Sequence, residues 1–156
     1  MKTTRQYGRK ADSALSMWVK LARASATFAK LTARDIEQYG LTPPQFAVLE
    51  SLGHLGPLTA GELGKKILVT GGCITVILDN LERDRLVERI RNAEDRRSYN
   101  VRLTHKGARL FTRIFRQHAD RVAEFASVLS DEEQSQLSVL LKKLGTRLHN
   151  SYIRKS

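Results

Sequence analysis

The chain has 156 residues, 41% of them apolar and 28% charged, an ordinary composition for a domain that buries a core without metals or disulfides. No apolar run approaches the roughly 20 residues of a membrane-spanning helix, and no apolar stretch follows the N-terminal charges, so neither a span nor a signal peptide is expected. The lone cysteine, Cys73, excludes an internal disulfide and fits a reducing cytoplasm; the net charge of +11 fits an anionic partner, nucleic acid or membrane surface, as well as a merely basic soluble surface.

The first dozen residues, with Arg5, Arg9 and Lys10, lack periodicity and are expected to fray. A long helix is predicted over residues 12–38. Leu15, Trp18, Ala22, Ala26 and Ala29 line one face and Leu21, Ala24, Phe28 and Leu31 a second, so it needs two packing partners. Gly40 ends it. Thr42 caps a second helix with Pro43 at its first position; it carries Phe46, Ala47, Leu49 and Leu52 and stops near Gly53. Leu58 and Thr59 read as a very short strand, and Thr59 with Glu62 has capping-box spacing ahead of a short helix to Ile67.

Thr70 opens a fourth helix, ending near Arg85, with one apolar stripe of Ile74, Ile77, Leu78 and Leu81. Residues 86–91 and 99–103 alternate like strands, and the turn material between them makes a long-loop hairpin. Thr104 caps a second long helix carrying Leu110, Phe111, Ile114, Phe115, His118, Val122, Phe125 and Leu129 at helical period. Ser130 and Glu133 form another capping pair. The last helix bears Leu137, Leu141, Leu144 and Leu148 at four-three-four spacing, a short coiled-coil seam.

This order gives a mainly α fold with a small β-hairpin wing: two short capped helices and a hairpin form a winged helix-turn-helix between long terminal helices. Residues 1–40 are assigned to dimerisation, 41–104 to the DNA-binding lobe and 105–156 to C-terminal dimerisation helices. The fourth helix would read DNA. Opposite its apolar stripe lie Gly72, Thr75, Val76, Asp79 and Arg83, flanked by Cys73 and Asn80. Small residues at its start suit close approach to base edges, and a helix N-terminus attracts phosphate. Gly71 and Gly72 cost about 1 kcal/mol each against Ala, which has a use near a backbone–phosphate contact, the plainer reading being an eased turn. Val76, β-branched and exposed, is expected against a thymine methyl group. In the hairpin, Arg89, Arg91, Arg96, Arg97 and Arg102 crowd together. Arg96 and Arg97 at the tip can enter the narrow minor groove, with Asp95 holding the loop in shape.

Residues 95–104, DRRSYNVRLT, match the wing pattern D-x-R-x-x-x-V-x-L-T of the MarR family of transcription regulators. Thr104-His105-Lys106-Gly107 resembles that family's T-x-x-G helix entry, residues 41–49 resemble its L-T-x-x-Q-(aromatic)-x-V-L helix, and Leu78-Asp79-Asn80-Leu81-Glu82 followed by Leu86-Val87 resembles the end of its recognition helix. The resemblance covers residues 12–150. It implies an obligate homodimer with interlocked terminal helices, and two wings on a pseudo-palindromic operator in double-stranded DNA. It also implies repression of nearby genes and release by a small aromatic or phenolic effector. By position, Asp95 and Arg97 are the wing pair, and Thr70, Thr75 and Val76 lie on the reading surface. Many relatives carry arginine where Val76 stands, which puts base readout here in question. The expected location is the bacterial or archaeal cytoplasm, on the nucleoid.

Apolar excess on the terminal helices, including Leu15, agrees with a dimer. Trp18, Phe46, His54 and Phe115 are candidates for an effector pocket, their ordinary role being core or interface packing. Cys73 invites a redox reading, but the family's peroxide-sensing branch places its reactive cysteine in the first helix, so a buried or half-buried position is expected. The scattered histidines have no metal-ligand spacing, and no metal, cofactor or enzyme activity is expected. The competing class is a winged-helix protein–protein assembly module without DNA binding, for which an arginine-dense wing has no use; an enzyme using Cys73 is a third reading.

Overall fold

The computed structural model describes residues 6–91 and 99–153, with side chains to residue 147. Arg5 and the hairpin turn with Asp95, Arg96 and Arg97 therefore lie outside the described residues, as does the side chain of Leu148. The chain divides into two compact units, Met1–Ala119 and Asp120–Ser156.

In the first unit, α1 (Arg9–Glu37) starts ahead of the expected Asp12. The Asp12 carboxylate instead accepts the Tyr7 backbone N–H at 3.0 Å, holding the entry to the helix. α2 (Pro43–Leu55) begins with a reciprocal capping box: the Gln45 side chain accepts the Thr42 N–H at 2.8 Å, and the Thr42 hydroxyl accepts the Gln45 N–H at 3.4 Å. It ends at Leu55, close to the expected Gly53. Gly53 itself lies inside the helix, and it is glycine there because a Cβ would fall 2.3 Å from the Phe111 ring; Gly56, at φ 78°, follows the last turn. A glycine read from sequence as a terminator is a gap left for a neighbouring ring.

β1 (Leu58–Thr59) leads into α3 (Ala60–Lys66), whose cap is the expected Thr59–Glu62 pair. In the turn to α4 (Gly71–Arg83), Leu68 takes a left-handed φ of 57° while the Val69 N–H reaches back to the Gly64 carbonyl at 3.0 Å. Arg85, φ 58°, closes α4 in the same way, with Leu86 N–H on the Leu81 carbonyl at 2.9 Å. β2 (Val87–Arg91) and β3 (Tyr99–Leu103) pair antiparallel, Val87 opposite Leu103 and Arg89 opposite Val101. The hairpin gains a third strand, because β1 adds to the free edge of β3 in the order β1-β3-β2.

α5 (His105–Ala126) starts at Thr104, whose hydroxyl accepts the Gly107 N–H at 3.0 Å and donates to the Arg85 carbonyl at 2.7 Å. One side chain thus caps α5 and holds the approach to β2. The core lies between the helix-turn-helix and the sheet. Phe46, Val48, Leu49 and Leu52 of α2 meet Leu63 of α3, Ile74, Leu78 and Leu81 of α4, and Val87 and Val101 of the sheet; α1 adds Ile36 and α5 adds Ile114. Burying each such side chain stabilises the fold by roughly 1.5–3 kcal/mol.

In the second unit, α6 (Asp131–Ile153) begins at the expected Ser130–Glu133 capping pair. Gln134 Nε2 donates to the carbonyls of Ala126 and Leu129 at 3.3 and 3.1 Å, which fixes the turn between helices. Leu137, Val139, Leu140 and Leu141 are exposed and Leu144 is half-buried. No helix among the described residues is long and apolar enough to cross a membrane.

Candidate nucleic-acid interface

The start of α4 is an open surface. Gly71, Gly72, Cys73, Thr75 and Val76 are exposed, while Ile74 and Leu78 turn into the core. Nothing lies within 4 Å of where a Cβ would stand on Gly71 or Gly72. Thr70 is the N-cap residue, but its side chain makes no capping hydrogen bond, so the first N–H groups of α4 are not satisfied from there. A helix end of this kind, with its positive dipole end outward, attracts phosphate. Thr75 donates to the Gly71 carbonyl at 3.1 Å, and Val76 is 61% exposed, as its place on the wheel indicates. Cys73 is exposed as well, not half-buried: it stands one residue before the buried Ile74, on the open side of the first turn.

The arginines of the hairpin are not all available to a partner. Arg89 Nη2 reaches Asp79 Oδ1 at 2.5 Å, its Nη1 contacts the Glu82 carboxylate, and its backbone N–H donates to Glu82 Oε1 at 3.2 Å. The Asp79 hydrogen bond is the main cause that pushes the Arg89 pKa up, with both carboxylate charges adding. Arg102 pairs across the ladder with Glu88 at 2.8 Å. Strand alternation held part of the signal for Arg89: it lies two residues beyond the buried Val87 and opposite the buried Val101, on the same side of the sheet as these, yet it is itself exposed, at the edge of the core where α4 passes. Arg83 is exposed with Asp84 at 3.6 Å, and Arg91 is exposed at the end of β2. Further positive charge lies on the outward face of α5, where Lys106, Arg109, Arg113 and Arg116 recur at helical spacing and are exposed.

Of the four pocket candidates, three come together. The rings of His54 and Phe115 lie 4.5 Å apart, His54 meets Phe111 at 5.3 Å, and Phe46 meets His118 at 5.0 Å. Phe46 is core, 3% exposed, whereas Trp18 is 60% exposed on α1. Phe111 and His118 belong to the cluster although the sequence does not single them out for it; their shared stripe with Phe115 on α5 is the available clue. His118 Nδ1 is buried without a hydrogen-bond partner among the described residues.

Two helices joined by a tight turn, the second with a small-residue outer face, and an antiparallel hairpin tied to its side define a winged helix-turn-helix protein. Residues 41–99 match the MarR family. The chain is 36% identical to the uncharacterized HTH-type transcriptional regulator YkoM of Bacillus subtilis (strain 168), over 91% of each chain. It is 37% identical to the HTH-type transcriptional regulator MhqR of the same organism, over 86% of this chain and 92% of that one. The crystal structure of a cysteine-to-serine mutant of MarR from E. coli complexed with operator DNA matches with a TM-score of 0.75 and 27% identity, covering 88% of this chain and 99% of that one. The chain belongs to the MarR family, a family of transcriptional regulators and not of enzymes.

Proposed function

We propose that this protein is a homodimeric repressor of the bacterial or archaeal cytoplasm that binds a pseudo-palindromic operator in duplex DNA. In this reading α4 enters the major groove by its glycine-fronted face, with Thr70, Thr75 and Val76 toward the bases and Arg83 toward phosphate. Arg96 and Arg97, steadied by Asp95, reach the flanking minor groove. The observation that carries the reading is the open start of α4, free of bulky side chains, beside a hairpin fastened to the same helix. The likeness to a relative solved with operator DNA supports it.

The test is footprinting and gel shift on the chain's own upstream region across a salt series. Phosphate contacts release counterions, so affinity should fall steeply with salt, by about 0.9 in log–log slope per phosphate neutralised. Arg97→Ala should weaken operator binding by about tenfold or more while leaving the oligomeric state unchanged. Binding that is independent of salt and indifferent to Arg97 would favour a protein-assembly role instead. For the effector, the aromatic cluster of Phe46, His54 and Phe115 is the candidate site. A small aromatic acid that binds there should raise the melting temperature and release the operator.

A further inference from the structure

Arg89 ties one strand of the wing to the recognition helix. Its guanidinium bridges two carboxylates one turn apart on α4, and its backbone N–H reaches the second of them. An isolated surface ion pair contributes little to stability, but a fork that engages two acceptors fixes an orientation. β2 runs on from Arg89 through Arg91 into the hairpin turn, so the angle set at Arg89 is carried toward the tip. The charges matter too. Asp79 is more than half exposed on the outer face of α4, where an uncompensated carboxylate would repel a phosphate backbone.

We propose that Arg89 is a positioning residue for DNA recognition: it holds β2 at a fixed angle to α4 and cancels charge on Asp79 and Glu82, without itself contacting phosphate. The proposal rests on the DNA-binding reading above. It sets Arg89 apart from the wing-tip arginines, because both terminal nitrogens of its guanidinium already hold carboxylates of the protein.

The experiment uses the full chain, its footprinted operator and a non-operator duplex of equal length. Arg89→Ala should lower operator affinity about tenfold or more, yet change non-operator affinity less than about threefold and leave the salt slope at its wild-type value. Arg89→Lys keeps the charge but lacks the fork, and should not restore the operator preference. A salt slope reduced by about one in Arg89→Ala would overturn the proposal, since it marks a lost phosphate contact. An unchanged operator affinity would overturn it equally. If Arg89→Ala does not fold, the double variant Asp79→Asn with Glu82→Gln decides. It should bind non-operator DNA more tightly and lose operator preference; an unchanged preference counts against the proposal. Hydrogen exchange without DNA separates the two readings. Amides of β2 and β3 should exchange faster in Arg89→Ala, and equal protection would remove the tie itself. Should the wild-type chain prefer no duplex, the DNA-binding reading falls, and exchange alone reports on the tie.

Discussion

At Gly107 the first turn of α5 comes so close to the chain at Leu86 that an added Cβ would lie 1.9 Å from the Leu86 carbonyl oxygen. That oxygen already accepts the Thr104 N–H at 3.1 Å, so it has no room to retreat without releasing the end of β3. Gly72 stands in the opposite situation, with open space where its Cβ would be. The same substitution at the two sites should therefore have opposite effects. Gly107→Ala should destabilise the fold by about 3 kcal/mol in denaturant unfolding, because overpacking against backbone outweighs the gain in helix propensity. Gly72→Ala should stabilise it by about 0.5–1 kcal/mol and yet weaken operator binding, if the helix must approach DNA closely there. A Gly72→Ala variant that gains stability with undiminished affinity would remove the argument from close approach.

Capping chemistry fixes where most of the helices begin. At α3, the Glu62 carboxylate accepts both the Thr59 N–H and the Thr59 hydroxyl at 2.8 Å. These bonds, the backbone one foremost, hold its pKa below the ordinary carboxylate value, with Lys66 and Lys65 adding weakly. A pKa lowered by folding means that the contribution to stability is complete above the unfolded value and is lost as pH falls through the folded one. Glu62→Gln should flatten the acid limb of the stability curve in that range, and an unaltered limb would show that the cap is not made in solution. Such local chemistry explains why the starts of α2, α3, α5 and α6 were legible from Thr42, Thr59, Thr104 and Ser130. Features decided by distant partners were not. It is Phe111, far along the chain, that leaves no room for a side chain at Gly53, and the edge that β1 completes belongs to β3. Arg89 falls between these cases: the sequence grouped it with the other hairpin arginines, and only the packing of α4 supplies the carboxylates that meet it. The open face of α4 was legible, since the period that buries Ile74, Leu78 and Leu81 exposes Gly72, Thr75 and Val76.

At the scale of the whole molecule, the buried apolar side chains among the described residues all lie between Ile36 and Ile114, within the first unit. The described residues of the second unit include none, yet they display Leu137, Val139, Leu140 and Leu141 on α6. In the proposed homodimer, a two-fold partner that covers Leu137, Leu140, Leu141 and Leu144 on each copy would supply burial that this unit lacks by itself. In that reading the α6 seam matters to DNA binding as much as α4 does, because it would set the distance between two half-site readers. Replacing Leu141 and Leu144 together with Asp should abolish the dimer in sedimentation, lower the melting temperature and cost operator binding at least about a hundredfold, since one half-site alone retains about half the binding free energy. For the wild-type chain, folding coupled to association should make the melting temperature rise with protein concentration. A double-Asp variant that sediments as a folded monomer and still holds the operator tightly would uncouple the seam from recognition and leave the exposed leucines without a purpose in gene control.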